Sequence, residues 1–356
     1  MSPAAEAIWP ADLESPPYDE DDDEIRHAFM ALTLDEARAL ADRATRVLET
    51  RVSARWYDDA ERARVAAREL LVRLVCHVPN ALDDVHMRLI DVDVMGSIEV
   101  FSYPEILFHD AGPDVRDRLL SMDTPYARLA LAWMADPSAK VALAELGPEK
   151  AFRPALAAGW AFGEEWASPL HHPWCYRLQR GRALRPVAAV VGSDERCGGC
   201  GDPMTVLLDV DLSDPRIDLQ TSGHLRVPTC ERCVAWGTVF ATIDTDGGGQ
   251  WSDHSVRPTS IHDMPSHEPR EPLGLGDRRP RPFSGLAFDQ HGTSQLGGVP
   301  VWVQNPDYPT CPACDGLMPS VGQVNMADTG EEWGQGTIYA FWSQGCGLAA
   351  TVYQQT

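Results

Sequence analysis

The chain has 356 residues, 44% hydrophobic and 23% charged, which is enough apolar material for two or three separate cores. Thirty basic against fifty-three acidic residues give a net charge of -23. That field repels phosphate backbones and anionic headgroups, so nucleic acid and membrane surfaces are not expected partners, and a basic protein is the kind of partner it attracts.

No apolar run approaches the ~18 residues that cross a bilayer, and the first residues lack the basic start and apolar centre of a secretory signal, so a cytoplasmic protein is expected. Residues 1–31 contain a Pro-rich acidic stretch at 14–24 that buries too little apolar area to offset chain entropy, and the segment is read as a largely disordered tail. Thr33 and Glu36 then form a capping box, which predicts a helix start. Behind it, Ala37, Leu40, Ala41, Ala44, Val47 and Leu48 recur at three- and four-residue spacing, one apolar stripe. A second run over 60–78 repeats the pattern, and further helices are predicted at 113–122, 125–134, 138–146 and 149–162, separated by Pro-containing punctuation. The phrase from Asp136-Pro137 to Ala144 resembles the second helix of a HEAT repeat. The segment 32–184 is therefore read as an all-α domain, HEAT-like or an irregular helical bundle.

From residue 185 the pattern changes to short β-branched or aromatic runs bounded by Gly, Pro and Asp. Strands are predicted at 187–191, 204–212, 225–227 and 234–243, then at 299–303, 321–326, 337–342 and 348–353, with a polar connection over 245–293. The predicted class is α+β: a helical domain followed by a β-rich zinc-binding domain, 185–356, built from a degenerate duplicated unit (185–244 and 294–356).

The chain has nine cysteines. Cys197-Gly-Gly-Cys200 and Cys230-Glu-Arg-Cys233 form two CxxC pairs, the spacing with which one Zn2+ takes four thiolates in a tetrahedron. Four thiolates leave no position for water or substrate, so this ion is read as structural. A second copy opens with Cys311-Pro-Ala-Cys314. Methionine follows the second cysteine by the same interval in both copies (Met204, Met318), as does a valine (Val210, Val324). The second copy closes with Cys346 alone, and counting from it puts the last ligand position at Ala349. Cys311, Cys314 and Cys346 are then either a second zinc site completed by a distant side chain or water, or ordinary reduced thiols.

The run Gly297-Gly298-Val-Pro300-Val-Trp302-Val-Gln304, followed by Cys311-Pro-Ala-Cys314, Met318, Gln323 and a Gly336-Thr-Ile-Tyr339 element, resembles the bacterial YwqG-like family over residues 185–356. It is more distantly similar to the programmed-cell-death-2-like proteins, cytoplasmic chaperones of a ribosomal protein. The resemblance implies that Gly297, Gly298, Pro300, Trp302 and Gln304 form a family element. Physically, the two glycines allow a turn closed to other residues, Pro300 stiffens the next few residues, and Trp302 supplies packing area or a stacking surface.

Catalytic signatures are sparse. His171, His172 and Cys175 form the one tight cluster of nucleophile and base types, read as a loop with a buried cysteine rather than a catalytic pair. Asp253, His254, His262 and His267 match no ligand spacing, and no P-loop, GxSxG or HExxH motif is present. The expected function is therefore a non-enzymatic protein-binding or chaperone-like protein with a structural zinc on four cysteines. The alternatives are a toxin-immunity or accessory protein, and a zinc enzyme using an open Cys311/Cys314/Cys346 site.

Overall fold

The capping box at Thr33 is formed in the computed structural model: the Thr33 amide donates to Glu36 Oε2 at 3.1 Å, and the Glu36 amide to Thr33 Oγ1 at 3.4 Å. The residues described are 2–10, 23–50, 59–92, 104–162, 168–181, 185–190, 195–219, 223–244, 246–258, 271–284, 293–330 and 336–355. They divide into two compact units, one of residues up to 168 and one of residues 169–283 and 293 onward. The boundary thus falls before the predicted residue 185.

In the first unit, α1 (Pro3–Ile8) and α2 (Asp23–Ala31) lie inside the segment expected to be a tail. The Ser2 hydroxyl caps α1, and the Ser2 amide donates to Glu36 at 3.2 Å. Trp9 is fully buried, with the Arg43 guanidinium 3.9 Å from its ring centroid. Burial of an indole under a cation offsets the ordering of a short segment, so 2–10 is structured where composition suggested otherwise. Residues 11–22, which hold most of the acidic stretch, lie outside the described residues.

The stripe read from sequence is buried along α3 (Leu34–Thr50) and packs on α4 (Asp59–His77). After α5 (His86–Asp91) and a 3-10 turn (Pro104–Phe108) come α6 (Pro113–Met122), α7 (Pro125–Trp133), α8 (Pro137–Glu145) and α9 (Pro148–Ala157). Each of these four helices opens on proline, whose missing N–H is no loss in a first turn. Thr124 caps α7 and Asp136 caps α8, the latter accepting from the Ser138 amide at 2.9 Å. The two-residue strands β1 (Trp160–Ala161) and β2 (Ser168–Pro169) follow.

The second unit is built on one eleven-stranded sheet. Its strands are β3 (Cys175–Gln179), β4 (Pro186–Val190), β5 (Thr205–Asp211), β6 (His224–Thr229), β7 (Val239–Ile243), β8 (Gly249–Trp251), β9 (Leu273–Arg278), β10 (Gln295–Gly297), β11 (Ser320–Asn325), β12 (Gly336–Ser343) and β13 (Leu348–Gln355), with one helical turn, α10 (Glu231–Val234), between β6 and β7. The order is β6-β5-β4-β9-β3-β10-β11-β12-β13-β7-β8, antiparallel at every junction. The sheet nearly closes on itself: the Arg226 amide of β6 donates to the Gly247 carbonyl beside β8 at 2.8 Å, and Thr229 Oγ1 meets Thr351 Oγ1 of β13 at 2.8 Å. Closure of this kind leaves few open strand edges.

Three strand expectations are corrected. The segment 245–293 is not a plain connection, because β8 and β9 lie within it and β9 sits mid-sheet, with Leu273 and Leu275 buried. Two glycines in β9 hide its alternation. The run predicted over 234–243 divides into the end of α10 and β7. The strand expected at 299–303 falls instead on β10, and the amides of Val301 and Val303 donate to Gln323 Oε1 and the Tyr339 hydroxyl. Side chains take the place of a ladder there, so β-branched composition alone misplaces the strand.

Candidate metal centre

Two groups of cysteines gather among the described residues: Cys197, Cys200, Cys230 and Cys233 in one, Cys311, Cys314 and Cys346 in the other, with the sulfurs of each group all within 4.8 Å of one another. None of the nine cysteines is in a disulfide.

The first group is assembled by the β5–β6 hairpin. Its first CxxC precedes β5, its second follows β6, and the register Thr205↔Thr229 sets those two ends side by side. Cys230 stands immediately before α10 and Cys233 lies within it, so one helical turn aims both thiols the same way. Cys197 Sγ lies 3.5 Å from Cys233 Sγ, and Cys200 Sγ 3.5 Å from Cys230 Sγ. The amides of Gly199 and Cys200 point at Cys197 Sγ from 3.3 and 3.5 Å. Burial pushes the Cys197 thiol up, but those amides together with the Cys233 and Cys230 thiols outweigh it and leave its pKa below the ordinary value. Burial raises Cys230 and Cys233, the latter to about 12. Four crowded, largely buried thiols with amides turned toward sulfur form a donor set that a thiophilic cation suits.

The Trp251 indole covers this group. A Cβ added at Gly198 would stand 2.5 Å from its ring, and one at Gly199 would meet Cys233 Sγ at 3.1 Å. Glycine at these two positions is therefore a condition of the cover.

The second group repeats the knuckle bond for bond. The Cys197 amide donates to Asp202, as Cys311 does to Gly316; Gly201 donates to Cys197, as Asp315 does to Cys311; Met204 donates to Glu195, as Met318 does to Pro309, every bond lying between 2.8 and 2.9 Å. Bridges close both turns at the same places, Arg196↔Pro203 and Thr310↔Leu317. Gly201 and Asp315 share a positive φ, 82° and 57°, and Met204 and Met318 are both buried beneath their turns.

The closing element differs. Ser343 pairs with Leu348, so Gln344, Gly345, Cys346 and Gly347 alone connect β12 to β13. This link carries one cysteine, whereas residues 230–238, which join β6 to β7, carry two. Ala349, counted from sequence as the last ligand position, lies within β13, fully buried and paired with Trp342 and Ala241. The Ser343 hydroxyl, at the end of β12, lies close enough to Cys311 and Cys346 to favour their thiolates. Burial pushes the Cys311 thiol up, yet the Ser343 hydroxyl and the amides of Ala313 and Cys314 together outweigh it and hold the thiol at about 7. Pro312 and Ala313, both exposed, replace the glycine pair.

Over 355 residues the chain is 30% identical to the uncharacterized protein YpfL of Salmonella typhimurium, an alignment covering 92% of this chain and 79% of that protein. The chain belongs to the YpfL family. No family model matches it, and no solved structure matches it. The YwqG-like and chaperone resemblances therefore rest on their motif residues alone.

In this YpfL-family chain the GG-x-P-x-W element is a packing device. Gly297 and Gly298 have φ of 73° and 72°, and a Cβ at either would stand within 2.5 Å of a backbone carbonyl, Trp174 or Pro282. Pro300 follows outside any strand. Trp302 is buried, stacked on Tyr339 with ring centroids 4.6 Å apart and edge-on to Tyr308 at 5.1 Å. Gln304 ties the segment to the end of β13 through the Gln355 carbonyl at 2.6 Å.

Cys175 is fully buried in β3, its thiol pushed up to about 11 by burial, against the pull of Arg279. His172 stacks on Trp174, and His171 Nδ1 lies 2.9 Å from the His172 carbonyl. A thiol held in its neutral form is a poor nucleophile. His262 and His267 lie outside the described residues. No helix among the described residues is long and apolar enough to cross a membrane.

Proposed function

We propose that this chain is a non-enzymatic protein-binding protein whose β-unit is held by one structural zinc on Cys197, Cys200, Cys230 and Cys233, and which engages a basic protein partner. The observation that carries the reading is the first cysteine group: four sulfurs within 4.8 Å of one another under the Trp251 indole. Four thiolates select zinc over harder cations and leave it no position at which to activate water. The ion acts as a core for the end of a hairpin.

A binding role draws on the surface. Against a net charge of -23, Trp236 and Val256 are exposed to 53% and 65%, and a Cβ at the intervening Gly237 would lie 3.9 Å from Val256 Cβ. An exposed Trp three residues past Cys233, on an acidic molecule, suits a partner with basic and apolar side chains. The bond-for-bond match of the two knuckles supports a duplicated, degenerate unit, and the Asp136-capped α8 supports a HEAT-like reading of the helical unit. The shared GG-x-P-x-W and CxxC order supports the YwqG-like kinship, and nine cysteines outside any disulfide suit a reducing cytoplasm.

The test is affinity capture from native extract at low and at high salt, with wild type and Trp236→Ser. A basic protein retained at low salt, eluted by salt and lost with the variant is the expected result. Retention indifferent to both would overturn the binding reading, and a chain purified without metal would overturn the structural one.

A further inference from the structure

We infer that Cys311, Cys314 and Cys346 form a second metal site of a different kind, in which three thiolates hold a thiophilic divalent cation whose fourth position is open to solvent and to exchangeable ligands. This rests on the zinc reading proposed for the first group and gives the second unit a separate ion with a separate exchange behaviour.

Three observations converge on it. The three sulfurs are already within 4.8 Å of one another, in a knuckle whose amide geometry copies that of the four-cysteine group. The closing elements differ: residues 230–238, with two cysteines, join β6 to β7, whereas residues 344–347, with one, join β12 to β13, and Ser343 rather than a cysteine ends β12 beside that link. Finally, no indole covers this group among the described residues. Cys314 is exposed and Cys346 partly so, nothing lies within 4 Å of a Cβ added at Gly345, and Pro312 and Ala313 stand where Gly198 and Gly199 admit an indole against the first group.

The chemistry follows from the donor set. Three thiolates satisfy a soft divalent ion in three directions, and a serine hydroxyl, neutral at physiological pH, binds it far more weakly than a fourth thiolate would. Water, a small thiol or an imidazole can take that position, so the ion is held less tightly and exchanges faster than its four-thiolate neighbour. Such a site takes up and hands on zinc, or binds a ligand through it, while the first ion stays fixed.

The experiment uses the full chain purified with zinc and a chromogenic chelator in excess. Wild type is expected to contain two zinc ions, one released faster than the other by a factor on the order of ten or more. Cys346→Ser is expected to remove the fast ion and leave the slow one. Ser343→Cys, which supplies the missing thiol, is expected to slow the fast phase toward the other. A single slow zinc in wild type, with Cys311, Cys314 and Cys346 fully alkylated by iodoacetamide, would overturn this inference and leave the structural zinc standing. Two ions released together, and unaffected by Ser343→Cys, would overturn it too. No zinc at all would overturn both readings.

Discussion

The two cysteine groups start from the same turn and end differently. Each begins with a CxxC knuckle closed by the same backbone hydrogen bonds, over a buried methionine. One closes with a helical turn carrying two more thiols beneath an indole; the other closes with a short link carrying one thiol and a serine, in the open. The difference separates two things that a cysteine motif usually reports together. The knuckle is a backbone structure that forms with four cysteines or with three, whereas the closing element and what packs on it differ between the groups. In a sheet that nearly closes on itself, the first group sits at the end of the β5–β6 hairpin, and the second lies beside the continuous pairing of β11, β12 and β13.

Removing one thiol from each group strains this contrast most. Cys230→Ser is expected to abolish tight zinc binding at the first group and to forfeit a large part of the ~10 kcal/mol or more that a structural zinc contributes, read as a lower melting temperature and one ion fewer. Cys346→Ser should lower the melting temperature less, since the ion inferred there is held by three thiolates rather than four. Equal destabilisation by the two would erase the distinction.

Next in size are the methionines. Met204→Ala and Met318→Ala each empty a fully buried site under a knuckle and should each cost about 2–5 kcal/mol in denaturant unfolding. Equal losses are expected, because the knuckles agree even where the metal sites differ.

Smaller again is Gly198→Ala, whose Cβ would stand 2.5 Å from the Trp251 ring. Moving the indole should cost about 1–3 kcal/mol and speed zinc release from the first group. In the second knuckle, Ala313→Ser, at the position that matches Gly199, changes an exposed side chain and should stay within about 0.5 kcal/mol of wild type. Smallest of all, Gly345→Ala enters open space and should alter neither stability nor the first ion; a measurable loss would show that the second group is covered after all.

Several features of the fold and of the metal centre are legible in the amino-acid sequence. The capping box at Thr33, the buried stripe of α3, α6 from its opening proline to Met122, and both CxxC knuckles follow from local rules, since a cap, a period or a ligand spacing is written in adjacent residues. The features that escape such rules depend on distant partners. Residues 2–10 read as tail because their order comes from burying Trp9 beneath Arg43. Strand β9 reads as connection because its two neighbours, β3 and β4, are far off in sequence. Counting residues puts the last ligand position at Ala349, but the register Ser343↔Leu348 commits that alanine to a strand and brings Ser343 to the cluster. The Trp251 cover lies well beyond the second CxxC, and the glycine pair at 198 and 199 is its one local trace.

The most direct measurement of the central claim is X-ray absorption at the zinc edge on the Cys346→Ser chain, which isolates the four-cysteine group. One zinc per chain is predicted, with a shell of four sulfurs at about 2.3 Å and no nitrogen or oxygen neighbour. A shell with fewer sulfurs completed by nitrogen or oxygen, or a chain without zinc, would contradict it.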